Sequence, residues 1–219
     1  MHSDSQPTSQ PASQPASQCQ SARYGLTMAV HLTRIYTRTG DDGSTALSDF
    51  SRVSKNDPRL VTCADCDEAN AAIGVAIAHG HPDEHLRAVL RQVQNDLFDA
   101  GADLSTPVVE NPEHPPLRIT GDYVNRLECW CDELNEPLPS LNSFVLPGGT
   151  LLSAQLHVAR TVTRRAERSA WAAADAHPRT VSALPAKYLN RLSDLLFIAS
   201  RVANPEGDVL WQPGGPASR

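Results

Sequence analysis

Three arginines spaced four residues apart form the most chemically suggestive pattern in the sequence. Arg160, Arg164 and Arg168 belong to the segment 144–168, FVLPGGTLLSAQLHVARTVTRRAER, and His157 precedes them on the same predicted helical face. Side chains at this spacing project from one side of a helix. They could form a solvated face, but the rest of the helix is mostly apolar or small, and arginines on a largely buried helix need anions. The anions could be carboxylates of a neighbouring helix, phosphates of a ligand, or both.

A second group suited to anions lies in the loop 37–45, TRTGDDGST. Its two glycines allow backbone N–H groups to converge on an anion, and its threonines and arginine add further donors. The loop is not a Walker A motif, because no Gly-Lys-Ser/Thr sequence ends it. Lys55 follows in the chain and could reach back to a phosphate as a point charge. By themselves, the loop and the lysine are more typical of an ordinary surface.

The apolar periodicity predicts five helices that must position these groups. They cover about 59–78, 84–104, 121–134, the segment after Thr150 that carries the arginines, and 184–203. Asn56 or Asp57, Asp83 and Thr150 are the predicted N-caps. No convincing strand is predicted beyond residues 31–37. The expected fold is therefore all-α, an up-and-down, ferritin-like five-helix bundle.

Each helix has a predicted buried face. The proposed core residues of the first, second, fourth and fifth helices are Ala69, Ala72, Ile73, Ala76 and Ile77; Leu86, Val89, Leu90, Val93, Leu97 and Phe98; Leu152, Leu156, Ala159, Val162 and Ala166; and Leu189, Leu192, Leu196, Ala199 and Val202. A second face of the fifth helix is predicted to be either the wall of a site or a polar seam to another helix or subunit, and its members are Asn190, Asp194, Phe197 and Arg201.

Composition narrows the functional classes. The 219 residues carry a net charge of −6, which gives no reason to expect nucleic acid or a membrane surface as a partner. The five cysteines, without a recognisable signal peptide, predict reduced thiols in a cytoplasm. A structural zinc site is disfavoured, because Cys129 and Cys131 would point to opposite sides of their helix.

The first 27 residues differ from the remainder. Gln6 to Gln20 is a low-complexity run of Ser, Gln, Pro and Ala with little to bury. Residues 1–27 are therefore predicted to be a disordered tail, and residues 28–219 to be one domain. Met28 as the biological start remains an open alternative.

Three separated blocks, taken together, resemble one family. They are TRTGDDGSTAL at 37–47, SKNDPRLVTCADCDEANAAIG at 54–74 and the segment at 144–168, followed by YLNRLSDLLFIASR at 188–201. Their order and spacing are similar to those of the PduO-type ATP:cob(I)alamin adenosyltransferases. The resemblance covers about residues 35–211. It implies a homotrimer of five-helix bundles with ATP sites between subunits.

The resemblance also implies a reaction in which cob(I)alamin attacks the 5′ carbon of ATP and triphosphate leaves. The protein would orient the substrates and neutralise charge, so no catalytic base is expected. ATP with Mg²⁺ and cob(II)alamin or cob(I)alamin are the implied substrates, and no metal-ligating residues are predicted. A flavoprotein reductase and a B12-dependent mutase are possible partners.

The resemblance assigns roles residue by residue. Asp67 and Arg160 resemble a salt-bridge pair across the subunit interface. Phe144 resembles an aromatic residue that excludes the lower axial ligand of the corrin, which makes the cobalt(II) easier to reduce, and Phe197 would line the corrin side. These assignments make Arg164, Asp67, Arg160 and Phe144 the predicted catalytic residues. The predicted nucleotide-binding residues are Thr37, Arg38, Thr39, Gly40, Thr45, Ala46, Lys55, Arg164, Arg165, Glu167, Arg168 and Asn190.

Two alternatives have different consequences. An escort protein would hold nucleotide and corrinoid for a mutase with little turnover, but it would not need the complete phosphate-binding set of Lys55, Arg164 and Asn190. A purely structural trimeric bundle would have no affinity for ATP. The enzyme is the favoured interpretation.

Overall fold

The computed structural model of the chain describes residues 36–214. The predicted boundary between residues 27 and 28 lies outside this range, as does most of the extended run predicted at 31–37. Within the described range the chain forms five α-helices and one short antiparallel hairpin. The predicted all-α bundle is confirmed.

The helices begin and end within a few residues of their predicted bounds. They are α1 Pro58–Gly80, α2 Glu84–Leu104, α3 Gly121–Asn135, α4 Leu151–Ala176 and α5 Leu184–Val202. Side-chain oxygens of Asp57, Asp83 and Thr150 accept hydrogen bonds from backbone N–H groups in the first turns of α1, α2 and α4, at 3.0, 2.8 and 3.1 Å. These caps satisfy N–H groups that have no partner within the helix.

The long helices pack in an order that leaves α4 next to both α1 and α5. α1 contacts α2 and α4, while α5 contacts α4 and α3. α1 and α4 run antiparallel, because the end of α4 at His177 lies against Asp57, whereas its first turn at Leu152 lies against Gly80. A Cβ atom at Gly80 would be 2.6 Å from a methyl group of Leu152, so this close helix contact requires glycine.

A buried carboxylate joins three helices in a way that the sequence did not reveal. Asp96 of α2 has no exposed surface and accepts two hydrogen bonds of 2.8 Å from the Arg126 guanidinium of α3. The Tyr188 hydroxyl of α5 and the Gln92 amide also donate to it, at 3.1 and 2.9 Å. Because the charge is paired and its oxygens are satisfied, it can remain buried.

One predicted core position is wrong. Phe98 was expected in the core of α2, but it points outward and is 70% exposed. Arg201, on the second face of α5, is buried and donates to Asp208 at 2.7 Å. His157, on the arginine face of α4, is buried against α5. Helical periodicity gives the angular position of a side chain, whereas the neighbours that cover it depend on the tertiary structure.

The hairpin and a second short pairing were not predicted. β1 Ser44–Ala46 pairs with β2 Arg52–Ser54, directly before α1. Val145, a few residues before α4, forms an isolated antiparallel bridge with Leu210. Both pairings are too short for a period-two hydrophobic pattern to be recognised.

None of the helices within residues 36–214 has the length and apolarity that crossing a bilayer requires.

Candidate active site

Lys55 lies directly against the glycine-containing loop. A Cβ atom at Gly40 would be 3.0 Å from both Cε and Nζ of Lys55, so the missing side chain at Gly40 makes room for the lysine. The Lys55 backbone N–H donates to the Gly43 carbonyl at 2.9 Å, and Gly43 has a φ of +81°, which favours glycine. The structure therefore brings the predicted loop and the predicted lysine together.

Arg52 holds the same loop in place, although the sequence analysis did not select it. Its Nη2 donates to the Thr39 carbonyl at 2.8 Å and also contacts the Ser44 hydroxyl and the Asp42 carboxylate. Hydrogen bonds from the Ser44 hydroxyl and N–H lower the pKa of Asp42, so this carboxylate stays charged opposite the arginine. Arg52 lies three residues before Lys55. Nothing in that local sequence indicates that its side chain holds the loop by bonding to Thr39 and Ser44.

The other predicted loop residues flank this clamp. Arg38 adopts a φ of +62°, and its guanidinium lies 5.8 Å from the centre of the Tyr36 ring. Thr37 is exposed, and Thr45 and Ala46 belong to β1. The hairpin thus fixes the second half of the loop, while the first half presents its donors to solvent.

The arginine face of α4 becomes more exposed along its length. His157 is buried, Arg160 is half-buried, and Arg164 and Arg168 are exposed. The Nε atom of Arg160 is buried and has no hydrogen-bond partner among residues 36–214. Burial and the nearby Arg164 lower the pKa of Arg160. An anion placed here would relieve both the lost hydration and the repulsion.

Asp67, the predicted partner of Arg160, is exposed on α1. Within residues 36–214 no ion pair joins these two side chains in the same chain.

Glu167 and Asn190 form a second small cluster at the contact of α4 with α5. The Asn190 side-chain amide donates to the Glu167 carboxylate at 3.0 Å. Both belong to the predicted nucleotide set, and Glu167 lies three residues after Arg164 on α4.

Arg165, also predicted to bind nucleotide, points toward α1, away from the Glu167–Asn190 contact with α5. Its guanidinium contacts the carboxylates of Asp65 and Glu68 on α1. Hydrogen bonding to Glu68 raises the pKa of Arg165. Within one chain, its charge is thus already matched by two carboxylates.

The start of α1, which follows Lys55 closely in the chain, meets the end of α4 rather than its arginine-bearing middle. Asp57, two residues after Lys55, lies 3.3 Å from the His177 ring at the end of α4. Arg164 precedes His177 by thirteen residues, which is about 20 Å along a helix at 1.5 Å per residue. Arg164 therefore lies well along α4 from the point where the start of α1 meets the end of this helix.

Aromatic side chains gather near the beginning of α4. The Phe144 ring is 77% exposed and lies 5.9 Å from the Trp211 ring. Two backbone hydrogen bonds connect their segments, one of them from the Trp211 N–H to the Phe144 carbonyl at 2.7 Å. Phe197 of α5 packs edge-on against His157, with ring centres 6.2 Å apart. The C-terminal segment thus returns to the residues before α4.

Beside this aromatic pair lies a cavity that sequence reasoning missed. It has a volume of about 180 Å³ and is lined by the 145–149 loop, by Ser153 and His157 of α4, and by Asn204, Asp208 and Val209. Asn204 fits closely against Gly149, where a Cβ atom would be 2.5 Å from its amide oxygen. Gly149 has a φ of +93°, so both its conformation and its neighbour favour glycine. Cavities formed by segments distant in sequence leave no local pattern.

The family model of the cobalamin adenosyltransferases matches residues 35–203. The corrinoid adenosyltransferase of Mycobacterium tuberculosis is 78% identical over 188 residues, which cover 86% of this chain and 97% of the relative. The corrinoid adenosyltransferase of Bacillus subtilis is 40% identical over 185 residues, covering 82% of this chain and 92% of the relative.

Solved structures agree with these relatives. A variant PduO-type ATP:corrinoid adenosyltransferase from Lactobacillus reuteri, complexed with cobalamin and ATP, superposes with a TM-score of 0.74 at 34% identity. The match covers 82% of this chain and 97% of that structure. Another variant from the same organism, complexed with ATP, superposes with a TM-score of 0.72 over 82% of this chain and the whole of that structure, also at 34% identity.

Proposed function

The chain belongs to the cobalamin adenosyltransferase family, and we propose specific residue roles and a trimeric arrangement for its reaction. It is an enzyme that transfers the 5′-deoxyadenosyl group of ATP to cob(I)alamin. The observation that carries this function is the match over residues 35–203, which contain both phosphate-binding groups and the aromatic residue before α4.

The reaction requires little proton chemistry. The electron pair of cobalt(I) forms the cobalt–carbon bond, and the bond from the 5′ carbon to oxygen breaks with its electrons passing to triphosphate. Negative charge therefore accumulates on the leaving group. Fixed cations and N–H donors aimed at that group lower the barrier, because they need no reorganisation as the charge develops.

We assign the charge-neutralising role to two groups of residues. In the first, the backbone and hydroxyl donors of Thr37–Gly40 and the Nζ of Lys55 hold one part of the triphosphate, with Arg38, Thr45 and Ala46 shaping the loop. In the second, Arg164 contacts the leaving phosphates, Arg168 adds positive charge, and Asn190, fixed by Glu167, contacts the nucleotide. Mg²⁺ enters with ATP as part of the substrate. The ion pairs of Arg165 with Asp65 and Glu68 favour a supporting role for Arg165 beside this site.

The active site is proposed to lie between two copies of the chain. This position would bring the loop and Lys55 of one copy to the arginine face of another. It would also give the unpartnered Nε of Arg160 its carboxylate, Asp67 of the neighbouring copy.

A row of exposed apolar residues on α1 and α4 supplies a surface for this assembly. Val61 and Val75 lie on the same side of α1 as Glu68, at intervals of seven residues, and Leu151 and Val158 have the same relation to Arg165 on α4. The contact between Glu68 and Arg165 places the two rows side by side. Exposed apolar surface of this kind is typical of subunit interfaces, and we propose that it forms a homotrimer.

Phe144 and Phe197 are assigned to the corrinoid. The exposed Phe144 ring would occupy the lower axial side of the cobalt and exclude the lower axial ligand. Cobalt(II) would then be four-coordinate and easier to reduce. Phe197 would line the edge of the same site, next to the buried His157.

Partners and location follow from the reaction class. A flavoprotein reductase would supply the electron, and a B12-dependent mutase would receive the product. We place the enzyme in the cytoplasm, which is supported by the four cysteines of the described part, Cys63, Cys66, Cys129 and Cys131, all of them free thiols.

An anaerobic assay tests the function directly. The protein is mixed with MgATP and chemically reduced cob(I)alamin, the loss of the cob(I)alamin absorbance is followed, and triphosphate is measured at the end. We expect adenosylcobalamin and triphosphate in equal amounts. Tight binding of both substrates without turnover would instead identify an escort protein, and no binding of either would leave the structural bundle.

A further inference from the structure

His157 is the most deeply buried titratable residue at the aromatic end of α4. Only 3% of its surface is exposed, and its ring forms part of the wall of the cavity of about 180 Å³. The role proposed above for the aromatic residues does not use it. A polar ring in such a position needs hydrogen-bond partners on both nitrogens.

One ring nitrogen is satisfied, and its partner fixes the tautomer. The Ser200 hydroxyl lies 3.2 Å from Nε2 of His157, and the same hydroxyl donates its proton to the Phe197 carbonyl at 2.7 Å. Ser200 therefore accepts from His157, so Nε2 carries the proton and Nδ1 has a free lone pair.

No side chain or backbone group within residues 36–214 donates a hydrogen bond to the other ring nitrogen. Nδ1 of His157 is buried and unpartnered among residues 36–214. Burial and the positive charge of Arg160 lower the pKa of His157, so the ring stays neutral and Nδ1 remains an acceptor near neutral pH. A buried acceptor without a donor is destabilising, so a ligand or water that donates to it is favoured.

The cavity offers further acceptors to such a donor. Asp208 lines it, with one carboxylate oxygen, Oδ2, accepting from Arg201 at 2.7 Å. The remaining lining is mostly apolar side chain and glycine backbone. About 180 Å³ is smaller than the roughly 300–1,000 Å³ of sites that enclose a whole drug-sized ligand, so the cavity suits one short arm of a larger molecule.

The cavity lies where a corrinoid arm would enter. Val145, on its wall, follows Phe144 directly and bridges to Leu210, the residue before Trp211. The corrin ring carries acetamide and propionamide arms around its edge, and each ends in a primary carboxamide with two N–H donors. We propose that this cavity is a subsite for one peripheral carboxamide of the corrinoid, whose N–H donates to Nδ1 of His157. The proposal rests on the proposed function, because it takes the corrinoid as substrate.

Corrinoids with a single altered arm test the donor directly. The probes are cobalamin and the isomeric monocarboxylates in which one peripheral amide is hydrolysed, each titrated anaerobically as cob(II) species into the full-length protein with MgATP. A carboxylate has no N–H and would face the lone pair of Nδ1 and the charge of Asp208. We expect one isomer to bind about tenfold or more weakly than cobalamin, the effect of losing one buried hydrogen bond and adding repulsion.

Two substitutions of the same residue separate the two nitrogens. His157→Gln keeps a donor near the Nε2 position but removes the acceptor at Nδ1, whereas His157→Asn keeps an acceptor near the Nδ1 position. His157→Gln should raise the corrinoid KM about tenfold with little change in the ATP KM and should lose discrimination between cobalamin and the sensitive monocarboxylate. His157→Asn should retain that discrimination. His85→Gln, at an exposed histidine of α2, is the control.

Two results would overturn the subsite. If every monocarboxylate binds the wild-type protein with the affinity of cobalamin, no hydrogen-bond acceptor of the protein recognises a peripheral amide. If His157→Gln lowers thermal stability but leaves the corrinoid KM and the discrimination unchanged, the cavity holds only water. Because the titrations need no turnover, a wild-type protein that discriminates the isomers but forms no adenosylcobalamin would refute the enzymatic function and support the subsite.

Discussion

At the scale of the residue, the arginines of α4 share one spacing but have different environments. Arg160 is half-buried with an unpartnered Nε, whereas Arg164 and Arg168 are exposed and available to a ligand. Arg165, adjacent in sequence, is paired with carboxylates of α1. The roles proposed for these residues therefore differ, and single substitutions can separate them.

Replacement of Arg164 tests charge neutralisation at the leaving group. We expect Arg164→Ala to lower kcat by at least about 100-fold, since one fixed donor to a developing anion contributes about this much. Arg164→Lys should recover part of the rate, because it keeps the charge but not the planar, two-donor geometry. Both are measured in the anaerobic assay, with sedimentation to verify assembly. Near-normal turnover in Arg164→Ala would remove its assigned role.

The role of Phe144 can be separated by the oxidation state of the substrate. Phe144→Ala should slow adenosylation that starts from cob(II)alamin far more than adenosylation of chemically supplied cob(I)alamin, because the ring is proposed to ease the reduction. Phe50→Ala is a suitable control, since Phe50 is also an exposed phenylalanine, at the turn of the hairpin. Equal slowing from both starting states would contradict the axial-ligand argument.

At the scale of the element, the hairpin holds the nucleotide loop through Arg52. Arg52→Ala should raise the KM for ATP about tenfold with a smaller change in kcat, because the loop would lose its contacts at Thr39 and Ser44. Arg52→Lys should restore part of the affinity. Steady-state kinetics at varied ATP measure the effect, and Arg91→Ala, at an exposed position of α2, is the control. An unchanged ATP KM would mean that the loop keeps its shape without the clamp.

Asp57 connects the start of α1 with the end of α4. It caps α1, forms a two-point contact with Arg59 and lies 3.3 Å from the His177 ring. Asp57→Ala should lower the free energy of unfolding by about 1–2 kcal/mol through loss of the cap alone, and further through loss of the ion pair. Asp57→Asn keeps a capping oxygen and should cost less. Chemical denaturation of the full chain measures both.

The pH dependence of Asp57 has a definite sign. Hydrogen bonds from Arg59 lower its pKa from 3.8 to about 2, so the folded state binds the proton less readily than the unfolded state. The stabilisation is therefore fully present above about pH 4 and is lost as the pH falls toward 2. The stability difference between the wild type and Asp57→Asn should shrink in that window. A constant difference down to pH 2 would show that the charge of Asp57 does not contribute.

At the scale of the whole molecule, the proposed site exists only if copies of the chain assemble. Val158→Glu places a charge in the exposed apolar row of α1 and α4, where burial in an interface would be unfavourable. We expect monomers in sedimentation and loss of turnover, with the helix content in circular dichroism unchanged. Val109→Glu, at an exposed valine between α2 and α3, should leave both assembly and rate intact. A fully active Val158→Glu trimer would place the interface elsewhere.

The sequence by itself determined the helices, their caps and the family. Helix bounds follow from apolar periodicity and from capping residues such as Asp83 and Thr150, which act within one or two turns. The motifs at 37–47, 54–74 and 144–168 also carried the resemblance, because a phosphate-binding loop and an arginine-rich helix need particular residue types at fixed spacing. The adjacency of Lys55 to Gly40 could be expected for the same reason.

Only the tertiary structure decided which side chains are covered and what they meet. The exposure of Phe98, the burial of His157, the clamp by Arg52 and the cavity at Asp208 all depend on segments that are distant in the chain. The pairing of the start of α1 with the end of α4, through Asp57 and His177, is likewise a property of the packed bundle. Local periodicity fixes the direction of a side chain relative to its helix axis, but burial and hydrogen bonding are set by the neighbours that packing brings to that side.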